Sequence, residues 1–201
     1  MSNKGLLIVI SGPSGCGKGT VCKAILEKNK NTKLSISATT RDMREGEEEG
    51  VSYFFKTKDE FEKMIAENAF LEYNCGYGGN YYGTPKKYVM DWLESGHDVI
   101  LEIEMNGAMN VKKHYPDGVL VFLAPPSLDE LYRRLVSRGR ESAEQINARF
   151  SEAKEEMKRI EEYDYVVIND DFTTAVKKIE SIIEAEKYAV KRNKNIIDEI
   201  I

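Results

Sequence analysis

Five apolar residues, Leu6-Leu7-Ile8-Val9-Ile10, run through Ser11 into Gly12-Pro13-Ser14-Gly15-Cys16-Gly17-Lys18-Gly19-Thr20. A short, continuously apolar segment reads as a strand buried on both faces. The glycines after it let the backbone aim successive N–H groups at one anion, and Lys18 adds a mobile cation. Val21, Ala24 and Ile25 then recur at helical spacing over 21–28, so the loop opens a helix whose N-terminus favours negative charge. Strand, loop, lysine and helix together imply a site for ATP or GTP phosphates in a layered α/β chain. The pattern G-x-x-x-x-G-K usually closes with Ser or Thr; here Gly19 takes that place and Thr20 follows.

With 201 residues and 41% hydrophobic content, the chain can bury one full core with an excursion or two. The net charge of −5 argues against a general nucleic-acid binder, which would carry a basic face with interleaved aromatics. Cys16, Cys22 and Cys75 are odd in number and lack Cys-x-x-Cys or nearby histidine spacing, so neither a disulfide framework nor a zinc site is indicated, and a reducing, cytoplasmic setting is expected. The run Leu6–Ile10 is too short for a membrane span or a signal-peptide core, so no membrane association is expected.

Three further short apolar segments, Asp98–Ile103, Gly118–Leu123 and Tyr165–Ile168, read as core strands. Between them lie segments of helical length, Pro85–Ser95, Gly107–His114 and Ser127–Ser137. Alternation of strand and helix implies a mostly parallel, doubly wound sheet. Residues 34–84 break the rhythm with polar turns, Tyr53-Phe54-Phe55, a helix over Lys58–Glu67 and a tyrosine- and glycine-rich stretch, and read as an inserted α+β lobe. A second excursion, Arg138–Arg149, is rich in arginine, and a last helix is expected from Thr173 to about Asn193.

In Ser37-Ala38-Thr39-Thr40-Arg41-Asp42-Met43-Arg44-Glu45-Gly46-Glu47, two arginines stand three apart in a glycine-containing loop. Paired guanidinium forks suit a second phosphate, although solvated arginines balancing Glu45, Glu47, Glu48 and Glu49 would give the same pattern. Leu101-Glu102-Ile103-Glu104 ends a core strand with two carboxylates on one face, at the edge where open parallel sheets bind ligands; a strand end turning polar at solvent reads the same way.

Taken in order, Gly12–Thr20, Ser-x-Thr-Thr-Arg-x-x-Arg at 37–44, Phe70-Leu71-Glu72-Tyr73, Gly79-Asn80-Tyr81-Tyr82-Gly83-Thr84-Pro85 and Ala124-Pro125-Pro126-Ser127 resemble guanylate kinase. The resemblance implies a P-loop α/β enzyme that passes the γ-phosphate of ATP to GMP with Mg2+. It implies a core over 1–33, 85–137 and 164–201, a GMP-binding lobe over 34–84 and a helical lid over 138–163. By motif position, Gly12, Pro13, Ser14, Gly15, Cys16, Gly17, Lys18, Gly19 and Thr20 meet ATP, with Asn169 on its adenine side, where a helix N-cap is the other reading. Arg41, Arg44, Tyr53 and Tyr82 meet the GMP phosphate, and Ser37, Glu72 and Thr84 the guanine. The resemblance gives the transfer to Lys18, Arg41 and three arginines in or beside the lid, Arg134, Arg138 and Arg149.

The base set makes chemical sense, because a carboxylate accepts from guanine N1–H and the 2-amino group while hydroxyls donate to O6; adenine would leave a buried carboxylate unpaired. The resemblance also places Glu104 among the GMP contacts, although the family usually has aspartate there, and the stretch Tyr73–Asn80 is longer by a residue than the family's usual loop. The implied setting is purine nucleotide metabolism and GMP recycling, by a monomer or a homodimer with no dedicated protein metal site. A kinase for another nucleoside monophosphate and a non-catalytic guanylate-kinase-like module that binds phosphorylated protein partners are the competing readings. Retention of Lys18 and of the arginines speaks against the second.

Overall fold

A computed structural model describes residues 4–76, 79–137, 142–193 and 200–201. Nine strands and seven α-helices are described: β1 Leu7–Ser11, α1 Lys18–Lys28, β2 Thr32–Leu34, β3 Ala38–Thr39, β4 Phe54–Phe55, α2 Lys58–Ala66, β5 Phe70–Cys75, β6 Tyr81–Pro85, α3 Lys86–Glu94, β7 Asp98–Glu102, α4 Met105–His114, β8 Val119–Ala124, α5 Leu128–Ser137, α6 Ala143–Lys158, β9 Tyr165–Ile168 and α7 Phe172–Lys187.

The expected doubly wound sheet is present, with strand order β2-β7-β1-β8-β9 and every pair parallel. Alternation along β1 explains why the sheet carries helices on both faces. Ile8 and Ile10 join Val21, Cys22 and Ile25 of α1 and Val176 and Ile179 of α7 in one core. Leu7 and Val9 point the other way and pack with Val89 and Leu93 of α3 and Ala108 and Val111 of α4. Side chains buried on both faces are what a near-continuous apolar strand encodes.

Between β2 and α3 the chain builds a second sheet, β4-β3-β6-β5, with β3 parallel to β4 and antiparallel to β6. Its core is small: Ala38, Phe61 and Phe70 are buried, and the Phe61 ring stacks on Phe70 at 4.4 Å and on Tyr81 at 5.3 Å. The helix read over Lys58–Glu67 is α2, started by a capping box in which Thr57 and Glu60 each satisfy the other's backbone N–H.

The last helix is shorter than its apolar spacing suggests. α7 stops at Lys187, and a short 3-10 turn, Val190–Arg192, follows. Arg192 turns back to Glu186 and to the Asp117 carbonyl at 2.7 Å, while Asn193 donates to the Lys187 and Ala189 carbonyls, so side chains take over the helix end. Trp92 is half-buried against the α3 side of the core. His97 lies 3.0 Å from Ser95 Oγ and His114 lies 2.9 Å from the Asn110 carbonyl, both local contacts.

Candidate active site

The parallel strands end at one edge, and the loops leaving β1, β2 and β7 there line a cavity of about 360 Å³ that the second sheet closes from the far side. Gly12, Ser14 and Lys18 form one wall. Gly12 has φ 147° and a Cβ on it would come within 2.3 Å of the Leu123 carbonyl oxygen, so only glycine lets the loop lie against β8. Gly17, at φ 97°, caps α1, and a Cβ there would meet Asn169 Nδ2 at 2.6 Å. The first turn of α1 holds no acidic residue, which leaves its N–H groups and positive dipole end available to an anion. Lys18 Nζ folds back onto the Gly12 carbonyl at 2.6 Å and that of Pro13 at 3.2 Å. Cys16 is fully buried, and burial raises its thiol, which stays neutral.

Asn169, directly after β9, is buried and donates through Nδ2 to the Cys16 carbonyl at 2.8 Å, tying the loop to the sheet. Its own carbonyl accepts from Arg134 Nη2 at 3.1 Å, while Arg134 Nε pairs with Glu130 at 2.8 Å. The cap of α7 is Asp171, which accepts from the Thr174 N–H, and neither Asn169 nor Asp170 fills that place. From α6, Arg149 donates to Ser14 Oγ at 3.1 Å. Arg138 lies outside the described residues. Pro13, Gly15, Cys16, Gly17, Gly19, Thr20, Thr84, Arg134 and Asn169 do not line the cavity.

The opposite wall gathers Glu72 from β5, Tyr82 from β6, and Ser37, Arg41, Arg44 and Tyr53 from the loops on either side of β3. Arg41 lies over the rings of Tyr53 and Phe55 at 5.2 and 5.8 Å. Tyr53 and Tyr82 meet edge to face at 6.1 Å. Behind them Thr84 is fully buried and donates to Glu72 Oε1 at 2.7 Å, a contact fixed by the direct pairing of the two residues across β5 and β6. Burial pushes the Glu72 carboxyl up to about 7, although the Thr84 bonds pull it down. A half-neutral, desolvated carboxyl facing a cavity gains most from a ligand that brings its own donors.

Acidic side chains complete the space. Glu102 stands beside the phosphate loop because β7 pairs with β1 in the register Ile10–Glu102; burial raises its carboxyl and Lys18 lowers it. Glu104 follows at the cavity edge, and Glu152 and Glu156 enter from α6. Burial raises Glu156 to about 7, with Lys18 opposing. Sequence reasoning passed over these last two, yet Arg149, Glu152 and Glu156 recur at helical spacing and so share a face of α6. It also left Glu47 among the solvated acids, whereas Glu47 grips Arg41 with both oxygens.

A phosphate loop at the carboxyl edge of a parallel sheet, facing an arginine pair and a buried carboxylate across one cavity, defines a P-loop nucleotide kinase. The sequence model of the family described as guanylate kinase matches residues 4–186. A guanylate kinase of Caldanaerobacter subterraneus subsp. tengcongensis is 56% identical over 196 residues, 98% of this chain and 95% of that protein. One of Clostridioides difficile is 55% identical over the same length and shares. The crystal structure of guanylate kinase from Anaplasma phagocytophilum superimposes with a TM-score of 0.78 at 32% identity, covering 94% of this chain and 89% of that one. The chain belongs to the guanylate kinase family.

Proposed function

We propose that the chain is an ATP:GMP phosphotransferase, converting ATP and GMP reversibly to ADP and GDP, and that the two walls of the cavity are its donor and acceptor halves. The single observation that carries this reading is the presence, in one 360 Å³ cavity, of Lys18 on the loop side and of Arg41, Arg44 and Glu72 on the other. The loop amides and Lys18 hold the donor phosphates. Arg41, Arg44, Tyr53 and Tyr82 hold the acceptor phosphate, and Glu72, braced by Thr84, takes the N1–H and 2-amino protons of guanine with Ser37 beside it. Arg149, from α6, together with Arg134, neutralises charge on the transferring group; Arg138 belongs with them by motif position. An acceptor phosphate oxygen is already anionic near neutral pH, so alignment and electrostatics supply the catalysis and no strong base is required.

Magnesium is the proposed metal. Among the described residues no cluster of three His, Cys, Asp or Glu is placed to hold an ion by itself. The residues present nonetheless suit it, since magnesium takes one or two carboxylates with substrate phosphates and water. Gly19 leaves space where a side chain would stand, and Glu102 Oε2 would lie 3.4 Å from a Cβ there, over the start of α1. Glu102 would orient the metal's water ligands, and Thr20 follows Gly19 in the first turn of α1; bound metal would supply charge neutralisation at the phosphates. Core, lobe and lid divide as 1–33, 85–137 and 164–201, then 34–84, then 138–163, in a cytoplasmic monomer or homodimer. No helix among the described residues is long and apolar enough to cross a membrane.

The test is ADP formation from MgATP with GMP, AMP, UMP and CMP in parallel, with Lys18→Ala as control. Turnover confined to GMP and lost by orders of magnitude in Lys18→Ala supports the reading; nucleotide binding without turnover on any acceptor overturns it.

A further inference from the structure

The geometry points to Gly107 as a specificity-determining positioning residue: its lack of a side chain lets Glu72 stand where it meets both hydrogen-bond donors of guanine. The inference rests on the base-reading role proposed for Glu72. Gly107 lies in the first turn of α4 and lines the cavity beside Glu72. A Cβ built on it would sit 2.7 Å from Glu72 Oε2 and 3.2 Å from Glu72 Cδ, closer than a methyl group can approach a carboxylate. The carboxylate has little freedom to retreat. It is 6% exposed, and its other oxygen is held at 2.7 Å by the fully buried Thr84 hydroxyl. Glu72 is therefore clamped between a hydroxyl on the strand side and a bare Cα on the helix side.

Nothing in the helix itself asks for this glycine. Gly107 is not among the residues with positive φ, and it packs in a regular first turn between Met105 and Ala108. Glycine in such a place weakens a helix relative to alanine. Helix formation thus favours alanine at 107 and the Glu72 contact favours glycine. An added methyl would drive the carboxylate several tenths of an ångström along the cavity or rotate it about its own axis. Either change spoils a two-pronged contact with N1–H and the 2-amino group, because both donors must be met in one plane.

The experiment compares Gly107→Ala, Glu72→Gln, Glu72→Asp and the pair Gly107→Ala/Glu72→Asp, with GMP and IMP, which lacks the 2-amino group, as acceptors. Gly107→Ala is expected to raise KM for GMP about tenfold or more and to lower the preference for GMP over IMP by a similar factor, as misplacement of a contact group does. Its kcat at saturating GMP stays within about threefold of the parent and its far-UV circular dichroism spectrum matches the parent's, which separates positioning from loss of the fold. A shorter carboxylate leaves room for the methyl, so Glu72→Asp costs less in the Gly107→Ala background than alone. Unchanged KM and selectivity in Gly107→Ala, with selectivity lost in Glu72→Gln, overturns the role of the glycine and leaves the base reader standing. Unchanged selectivity in Glu72→Gln removes the base reader and this inference with it. Should Gly107→Ala fail to fold, recovery of folding on adding Glu72→Asp supports the contact, and failure to recover overturns it.

Discussion

Arg41 donates through Nη1 to Glu47 Oε2 at 2.9 Å and through Nη2 to Glu47 Oε1 at 2.8 Å, a two-pronged pair inside the loop that carries both Arg41 and Arg44. The same carboxylate accepts the Arg44 backbone N–H at 2.8 Å, so one acid shapes the turn and aims the guanidinium. Both side chains of the pair are largely shielded, at 12% and 21% exposure, and Arg41 holds the Glu47 carboxyl below its usual range.

Glu47→Gln removes the charge and one prong. With the pair partly shielded, a loss of about 1 kcal/mol in acceptor positioning is expected, or a rise of about fivefold in KM for GMP, with kcat nearly kept. Steady-state kinetics at saturating ATP reads this directly. Tighter GMP binding in the variant would show that Glu47 competes with the phosphate rather than aiming Arg41 at it.

The raised carboxyl of Glu72 gives acceptor binding a pH dependence of defined sign. With its midpoint at about 7 in the free protein, Glu72 is largely protonated below that pH, and pairing with guanine N1–H and the 2-amino group requires it ionised. Binding therefore expels a proton, and KM for GMP falls as pH rises through about 7 and then levels. Folding is linked in the opposite sense: elevation above the ordinary 4.5 means stability is fully kept below that value and lost as pH rises through about 7. Glu72→Gln should flatten both profiles relative to the parent. Because Glu156 titrates in the same range, Glu156→Gln is the companion variant, and it should leave the Glu72 part of the GMP profile in place.

Asn169 binds the phosphate loop to the end of β9 through one buried bond of 2.8 Å to the Cys16 carbonyl. Asn169→Ala should cost about 1–2 kcal/mol of stability, the usual cost of taking a partner from a buried carbonyl. It should raise KM for ATP more than KM for GMP, since the strut touches only the donor half. Thermal melts and the two Michaelis constants test this, and an unchanged KM for ATP would mean the loop keeps its shape without the strut.

Chelation of divalent metal should stop turnover, and added magnesium should restore it. Glu102→Gln keeps the shape of the side chain and removes its charge. It should raise the magnesium concentration for half-maximal rate about tenfold, as changes beside a metal's own ligands do. An unchanged magnesium requirement would assign Glu102 to Lys18 alone.

Much of this architecture could be read from residue order. The strand and loop over residues 6–20, the alternating helices and the parallel sheet followed from apolar runs and their spacing, because a strand buried on both faces leaves a strong one-dimensional signal. β2 did not, since its three residues include Lys33 and give too short a pattern. The hairpin of β5 and β6 was legible only as a tyrosine- and glycine-rich stretch, because half of it faces a small aromatic core and half faces the cavity. Arg41, Arg44 and Glu72 stood out by motif. The grip of Glu47 on Arg41, the approach of Gly107 to Glu72 and the arrival of Glu152 and Glu156 all depend on how loops and separate elements meet in space. Sequence periodicity does not encode such meetings.

Lys18 rests on the carbonyls of its own loop, and under the donor-phosphate role proposed for it this shapes how the enzyme lets go. A lysine that already has two partners is exchanged when a triphosphate arrives, and the free energy gained is only the difference between the two sets of bonds. When the γ-phosphate has left, the diphosphate competes less well against the Gly12 and Pro13 carbonyls, and the ammonium can fall back to them. The resting bonds thus favour release of the spent donor over a long residence on the loop.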